Sequence, residues 1–172
     1  MQIPTAEQLY SQLKTGIENL LKTKPADKVH LVGIYSGGAW IVERLRKDLP
    51  LQNEVGFLST SFYRDDFNKI GLHSQKQATQ INFDVDDKHI IVVDDILYTG
   101  RTIRATMNEL FDYGRPASIS LAVLIDRGGR QLPIAADVVG GVIPLEKGTN
   151  FVLSQNEQHL FDIDIEKEDA SV

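Results

Sequence analysis

The chain reads as an α/β protein, with a central parallel sheet flanked by helices and a small β-rich hood. Three observations predict this. Apolar runs rich in β-formers alternate with segments of helical period, the pattern of a parallel sheet joined by right-handed crossovers. One run, Ile90-Ile91-Val92-Val93, is apolar without alternation, as suits a central strand buried on both faces. That run leads into Asp94-Asp95, and a helical pattern opens just after Gly100. Polar groups therefore collect where open α/β sheets bind ligands.

The elements follow in order. Ala6, Leu9, Tyr10, Leu13, Ile17, Leu20 and Leu21 recur at helical spacing and predict an amphipathic helix ended by Pro25. Val29 to Ile34 is a short apolar strand, Tyr35-Ser36-Gly37-Gly38 a turn, and Ala39 to Lys47 a helix. Val55 to Tyr63 is strand-like. Arg64 to Asp84 is polar without clear period, and is expected to form a mobile hairpin or lid. A strand over Lys88 to Asp94 and a helix over Arg101 to Tyr113 come next, the helix stopped by Gly114. Ala117 to Ile125 is β-rich, Asp126-Arg127-Gly128-Gly129-Arg130 is a charged turn, and Asp137 to Val142 is a short strand. In the tail Phe151, Leu153, Leu160, Phe161, Ile163 and Ile165 predict short strands, with Glu166 to Val172 fraying. The short strands after Ile125 are expected to form the hood over the sheet edge. No repeat, low-complexity tract or linker interrupts the chain, so residues 1–172 are expected to be one domain.

Composition narrows the functional classes. Hydrophobic content of 42% and charged content of 24% are ordinary for a globular protein. The absence of cysteine excludes disulfides and thiolate metal sites. The four histidines (His30, His73, His89, His159) are scattered, without zinc-like spacing. No apolar stretch is long enough to span a membrane, and no basic-then-apolar leader opens the chain. A cytoplasmic protein without membrane partners is the expectation. A net charge of −6 weighs against broad nucleic-acid binding, which rests on clustered lysine and arginine.

The run from Ile90 to Thr102 carries the chemistry. Ionised carboxylates only accept hydrogen bonds, so Asp94 and Asp95 suit a ribose diol or the waters of a bound Mg2+. Tyr98-Thr99-Gly100-Arg101-Thr102 offers successive backbone N–H groups at a helix start, where the dipole favours an anion. Gly100 permits an unusual turn and close approach, and Thr99 and Thr102 add hydroxyls. Taken apart, the fragments have other readings: a receiver-type Mg2+ site or a solvated turn for the carboxylates, a plain turn for Thr99-Gly100. The loop lacks the pattern of a Walker A motif.

Strand, carboxylate pair and Thr-Gly-Arg-Thr together resemble the binding signature of the type I phosphoribosyltransferases. Three further blocks extend the likeness: Tyr63-Arg64-Asp65-Asp66, Tyr113-Gly114-Arg115-Pro116-Ala117-Ser118-Ile119, and Asp126-Arg127-Gly128-Gly129-Arg130-Gln131-Leu132-Pro133-Ile134. Together these blocks, in order between roughly Leu31 and Pro144, are similar to the PyrR family of pyrimidine operon regulators and uracil phosphoribosyltransferases. The resemblance implies a type I phosphoribosyltransferase fold and the reaction of uracil with 5-phosphoribosyl 1-diphosphate (PRPP) to give UMP and diphosphate, with Mg2+. It implies that Asp94 and Asp95 hold the ribose hydroxyls and steady the positive ring. It assigns Ser36, Gly37 and Gly38 to the diphosphate, and the stretch through Ile96, Leu97, Tyr98, Thr99, Gly100, Arg101 and Thr102 to PRPP, with the 5′-phosphate at Tyr98 to Thr102. Arg64 and Arg127 would meet diphosphate or nucleotide, Arg127 counting among the catalytic residues; salt bridges to Asp65 and Asp126 are the other reading. The backbone at Val142 and Ile143 would meet the uracil edge. Arg64 to Ala78 would close over the site. No side chain would ligate Mg2+ directly: the substrate would carry it near Asp94 and Asp95. A homodimer or higher homo-oligomer is implied, with UMP as product or effector.

Two departures qualify the likeness. The family usually carries lysine, a small hydroxyl residue and arginine in its diphosphate loop, where this chain has Tyr35, Ser36 and Gly37. On that reading, arginine at position 37 should improve PRPP use. Regulatory members bind messenger RNA through a basic surface, but the matching residues Gly129 and Ala135 are not basic, and the first helix before Lys22 carries only Lys14. Lys22, Lys24, Arg44, Arg46 and Lys47 could form a smaller patch or a solvated surface. The alternative function is a nucleotide-sensing, RNA-binding attenuation regulator with little turnover.

Overall fold

The computed structural model describes residues 2–60 and 77–169. Arg64, the Tyr63–Asp66 block and residues 64–76 of the expected lid lie outside the described residues.

Helix α1 (Ala6–Leu21) begins on a reciprocal cap: Gln8 N donates to Thr5 Oγ1 and Thr5 N donates to Gln8 Oε1. Its buried stripe is Ala6, Leu9, Tyr10, Leu13 and Ile17, as the spacing predicts. Strands β1 (Val29–Ile34), β2 (Gly56–Leu58), β3 (His89–Leu97), β4 (Ser118–Asp126) and β5 (Val138–Val142) form one sheet in the order β2-β1-β3-β4-β5, every pairing parallel. Helix α2 (Gly37–Asp48) follows β1, and helix α3 (Arg101–Tyr113) follows β3. Strands β6 (Thr149–Gln155) and β7 (Phe161–Lys167) pair as an antiparallel hairpin.

The sheet separates two apolar layers. Leu31, Ile91, Val93 and Leu124 face α1, α2 and the hairpin. Val32, Ile90, Val92 and Val123 face Ile103 and Leu110 of α3. Central strand β3 thus buries both faces, which is why its sequence does not alternate. Among the described residues, no helix is long and apolar enough to cross a membrane.

The structure corrects four boundaries and one sheet assignment. β2 is shorter than Val55–Tyr63, and α2 starts two residues before Ala39, because the glycines join its first turn. β3 does not stop at Asp94: Asp94, Ile96 and Leu97 pair with Val123, Ile125 and Asp126 of β4. β5 joins the main sheet, so the β6–β7 hairpin alone is the small β-rich element. Glu166 and Lys167 do not fray. They pair with Asn150 and Thr149, and Glu168 N donates to Gly148 O at 2.8 Å. Buried Phe151, Leu153 and Phe161 anchor the hairpin on the α1 side of the sheet.

Candidate active site

All five parallel strands end on the same edge of the sheet, and the strand order reverses between β1 and β3. That switch point is where an open α/β sheet forms its ligand crevice. The ladder between the two strands ends at Gly33–Val93, while β3 continues against β4 to Leu97. Ile34, the last residue of β1, lies level with Asp94, so Asp95 to Leu97 project past β1 and leave a step in the sheet. The start of α2 fills that step because it carries no side chains there. A Cβ on Gly38 would meet the Val93 carbonyl oxygen, and one on Gly37 would meet the Asp95 carboxylate.

The carboxylates are fixed from their own strand. Asp95 N donates to Asp94 Oδ1 at 2.9 Å, and Ile96 N donates to Asp95 Oδ1 at 2.8 Å. Asp94 is 3% exposed and Asp95 is half-buried. The acidic pair is thus part of an extended strand rather than a turn. Asp95 Oδ2 lies against the first turn of α2. Ser36 caps that helix through its backbone, its carbonyl accepting from Trp40 N at 3.2 Å, and its side chain makes no cap bond. The Tyr35–Ser36 peptide is cis. Burial, helped by the charge of Glu43, pushes the Tyr35 phenol up, so this position supplies a neutral ring.

A second helix start lies beyond the carboxylates. Gly100 caps α3 at φ +94°, a left-handed conformation that favours glycine. A Cβ there would also sit 3.0 Å from Ile134. A cleft of about 100 Å3 opens here, lined by Asp94, Ile96, Leu97, Tyr98, Thr99, Gly100, Thr102 and Ile103. The N–H groups of a first helical turn beside threonine hydroxyls form an anion-binding end, and Arg101 N donates to Thr99 Oγ1 at 3.2 Å within it. The cleft joins this end to the acidic end at Asp94.

The charged turn after β4 braces this loop. Gln131 N and Leu132 N donate to Thr99 O at 3.0 and 3.2 Å. Arg130 donates to Tyr98 O at 2.7 Å, to Ile134 O at 2.8 Å and to Asp126 Oδ2 at 2.6 Å. Arg101 donates to Gln131 Oε1 at 3.1 and 2.9 Å. The sequence reading missed Arg130 and Gln131 as supports; the i, i+4 spacing of Asp126 and Arg130 was the available signal. Asp126 pairs with Arg130, and the other reading of Arg127, a salt bridge to Asp126, is not among the ion pairs of the described residues. Arg127 is buried behind Tyr98, stacked on its ring, and is not among the residues lining the cleft.

The remaining candidates lie at the edge. Val142 is 70% exposed and registers with Asp126. Ile143 N donates to Asp126 O at 2.9 Å, so that N–H is already engaged. Among the described residues the histidines are not brought together: His30 bonds Glu54 O and His89 bonds Ser118 at the opposite end of the sheet. Among the described residues, no three His, Cys, Asp or Glu side chains cluster to hold a metal ion.

Comparison with known proteins agrees with this geometry. A model of the phosphoribosyl transferase domain matches residues 2–157. The bifunctional protein PyrR of Ralstonia nicotianae is 51% identical over 150 residues, covering 87% of this chain and 86% of the relative. The chain belongs to the PyrR family of phosphoribosyltransferases. PyrR of Nitrosococcus oceani is 51% identical over 134 residues (77% of this chain, 76% of the relative), and PyrR of Pseudomonas aeruginosa 43% over 145 residues (84% and 85%). Solved structures place the PyrR-family chain in the same fold as purine enzymes. A hypoxanthine-guanine phosphoribosyltransferase of Bacillus anthracis superposes with a TM-score of 0.65 at 20% identity, covering 84% of this chain and 82% of its own. The enzyme of Leishmania tarentolae, in complex with GMP, gives 0.61 at 22% identity, with the same coverage. At such identities the likeness speaks for the fold alone.

Proposed function

We propose that the chain is a uracil phosphoribosyltransferase that converts uracil and PRPP to UMP and diphosphate, and that it also regulates pyrimidine synthesis. The observation that carries the catalytic reading is the step between β1 and β3. It sets an acidic pair between two helix N-termini, matching a ribose with a phosphate at each end.

The roles follow from the geometry. The cleft at Tyr98–Thr102 takes the 5′-phosphate on the N–H groups opening α3. Asp94 and Asp95 accept from the ribose hydroxyls, and their fixed negative charge stabilises the positive ring as the C1–diphosphate bond breaks. Ser36, Gly37 and Gly38 offer backbone donors to the diphosphate. Uracil N1 then bonds to C1 and loses its proton. That proton is acidic enough for departure of diphosphate to drive the step without a dedicated base. The uracil edge meets the backbone after β5, near Val142 and Ile143. Arg64 belongs to the proposed PRPP contacts on sequence grounds alone.

The residues fit a Mg2+ carried by the substrate. Asp94 and Asp95 already accept backbone N–H bonds, and no third carboxylate or histidine joins them among the described residues. The ion, held mainly by diphosphate and ribose oxygens, supplies charge neutralisation of the leaving group. A homodimer or larger assembly is part of the same proposal.

The second reading, a nucleotide-sensing RNA regulator with little turnover, is favoured by Tyr35 and Gly37, which remove two cations from the diphosphate loop. Gly129 weighs against its RNA arm, because a Cβ at that position would overlap the Tyr98 ring. UMP formation from uracil and PRPP with Mg2+ tests the first reading. RNA affinity that falls steeply with added salt tests the second.

A further inference from the structure

Arg127 is 6% exposed, yet its guanidinium is always charged. Its Nη1 donates to Asn150 Oδ1 at 2.9 Å, and its Nε has no hydrogen-bond acceptor. Burying a cation with a neutral partner and an unsatisfied N–H costs stability, so packing alone gives no account of it. Asp126 offers no compensation, since Arg130 holds it. The contacts of Arg127 converge instead on one ring: its guanidinium carbon lies 3.9 Å from the centroid of Tyr98. Gly129 presses on the same ring, where any Cβ would overlap it. Tyr98 in turn lines the cleft beside Thr99, Gly100 and Thr102. Asn150 belongs to β6, so the chain of contacts runs from the C-terminal hairpin to the phosphate loop.

We propose that Arg127, aimed by Asn150, is a positioning residue that presets Tyr98 and its loop, so that binding of the phosphate end of the substrate depends on the C-terminal hairpin. This rests on the reading of Tyr98–Thr102 as the 5′-phosphate site. Arg127 acts through Tyr98 and does not touch the reacting atoms. A desolvated cation over an aromatic face holds the ring in one orientation, and Asn150 fixes the cation above it.

The test is steady-state kinetics on the full chain. Asn150→Ala should raise the PRPP KM about tenfold, as expected for loss of a hydrogen bond to a charged group. It should leave kcat and the uracil KM within about twofold. Asn150 Nδ2 also donates to Glu168 Oε1 at 3.2 Å, so the rescue is Asn150→Asp combined with Glu168→Gln, which keeps the acceptor, adds a complementary charge without a like charge beside it, and should restore the PRPP KM. In a Tyr98→Leu background Asn150→Ala should have no further effect, because additivity fails where one residue acts through another. An unchanged PRPP KM in Asn150→Ala overturns the proposal, as does an equal loss with and without Tyr98. If the wild type forms no UMP, the reaction assignment has failed and the positioning claim is judged separately by calorimetric titration with ribose 5-phosphate. Weaker binding in Asn150→Ala then supports it, and unchanged binding refutes it.

Discussion

Gly37→Ala isolates the coupling between the start of α2 and the acidic pair. An added methyl would lie 2.7 Å from Asp95 Cγ and 3.0 Å from Asp95 Cβ, and would overlap Oδ2. Carbon atoms rest about 3.5–4.0 Å apart, so the carboxylate or the helix start must move by roughly 0.5–1 Å. Displacement of a catalytic group by about 1 Å can cost about a hundredfold in rate, or about 2.7 kcal/mol of barrier. We expect kcat/KM for PRPP to fall between about tenfold and a hundredfold. Folding should hold, since the overlap is confined to the first residue of α2 and one carboxylate. Gly37→Arg carries the same Cβ and should fare no better, although the family resemblance alone would predict improvement. The assay is UMP formation with PRPP varied at saturating uracil, beside a thermal melt. A kcat/KM within threefold of wild type for Gly37→Ala, or a gain for Gly37→Arg, would refute the steric argument.

Three further outcomes are expected. Asp95→Asn should keep the fold and lower kcat by about 10²–10³, the scale of losing one preorganised electrostatic contact in the transition state; full turnover would show the site to be misplaced. Chelation with EDTA should abolish UMP formation and added Mg2+ should restore it; turnover that persists after chelation would remove the ion from the mechanism. Glu7 receives two 2.7 Å bonds from Arg44 and one from Phe161 N, and the Arg44 bonds hold its carboxyl below the ordinary 4.5. Its folded form thus binds protons less readily than the unfolded chain. The stabilisation is fully present above the unfolded pKa and is lost as pH falls through the depressed folded value. Glu7→Gln should cost about 0.5–1 kcal/mol at neutral pH, the scale of a partly exposed ion pair, and the gap to wild type should close on acidification; a gap that persists at low pH would contradict the pairing.

The parts legible in the sequence were those with local patterns. The apolar run before Asp94 announced a strand buried on both faces, and Ala6 to Ile17 announced one buried helical stripe. Gly100 was legible because glycine permits an unusual turn, and the chain takes one there at φ +94°. The illegible parts were set by partners distant in sequence. Aspartate is poor in strands, and only pairing with Val123 and Ile125 keeps β3 extended past the acidic pair. Likewise Glu166 and Lys167 looked like a frayed end until Asn150 and Thr149 supplied their ladder. Arg127 and Arg130 both lie near Asp126 in sequence, and only the i, i+4 spacing speaks for Arg130. The turn gives the carboxylate to Arg130 and sends Arg127 under Tyr98, towards an asparagine that no local motif marks.

The most direct test of the central claim is UMP formation from uracil, PRPP and Mg2+, with adenine, hypoxanthine and orotate in parallel. The account predicts product with uracil alone, lost on Asp95→Asn. No product with any base, despite retained nucleotide binding, would contradict it and leave a sensor built on a transferase fold.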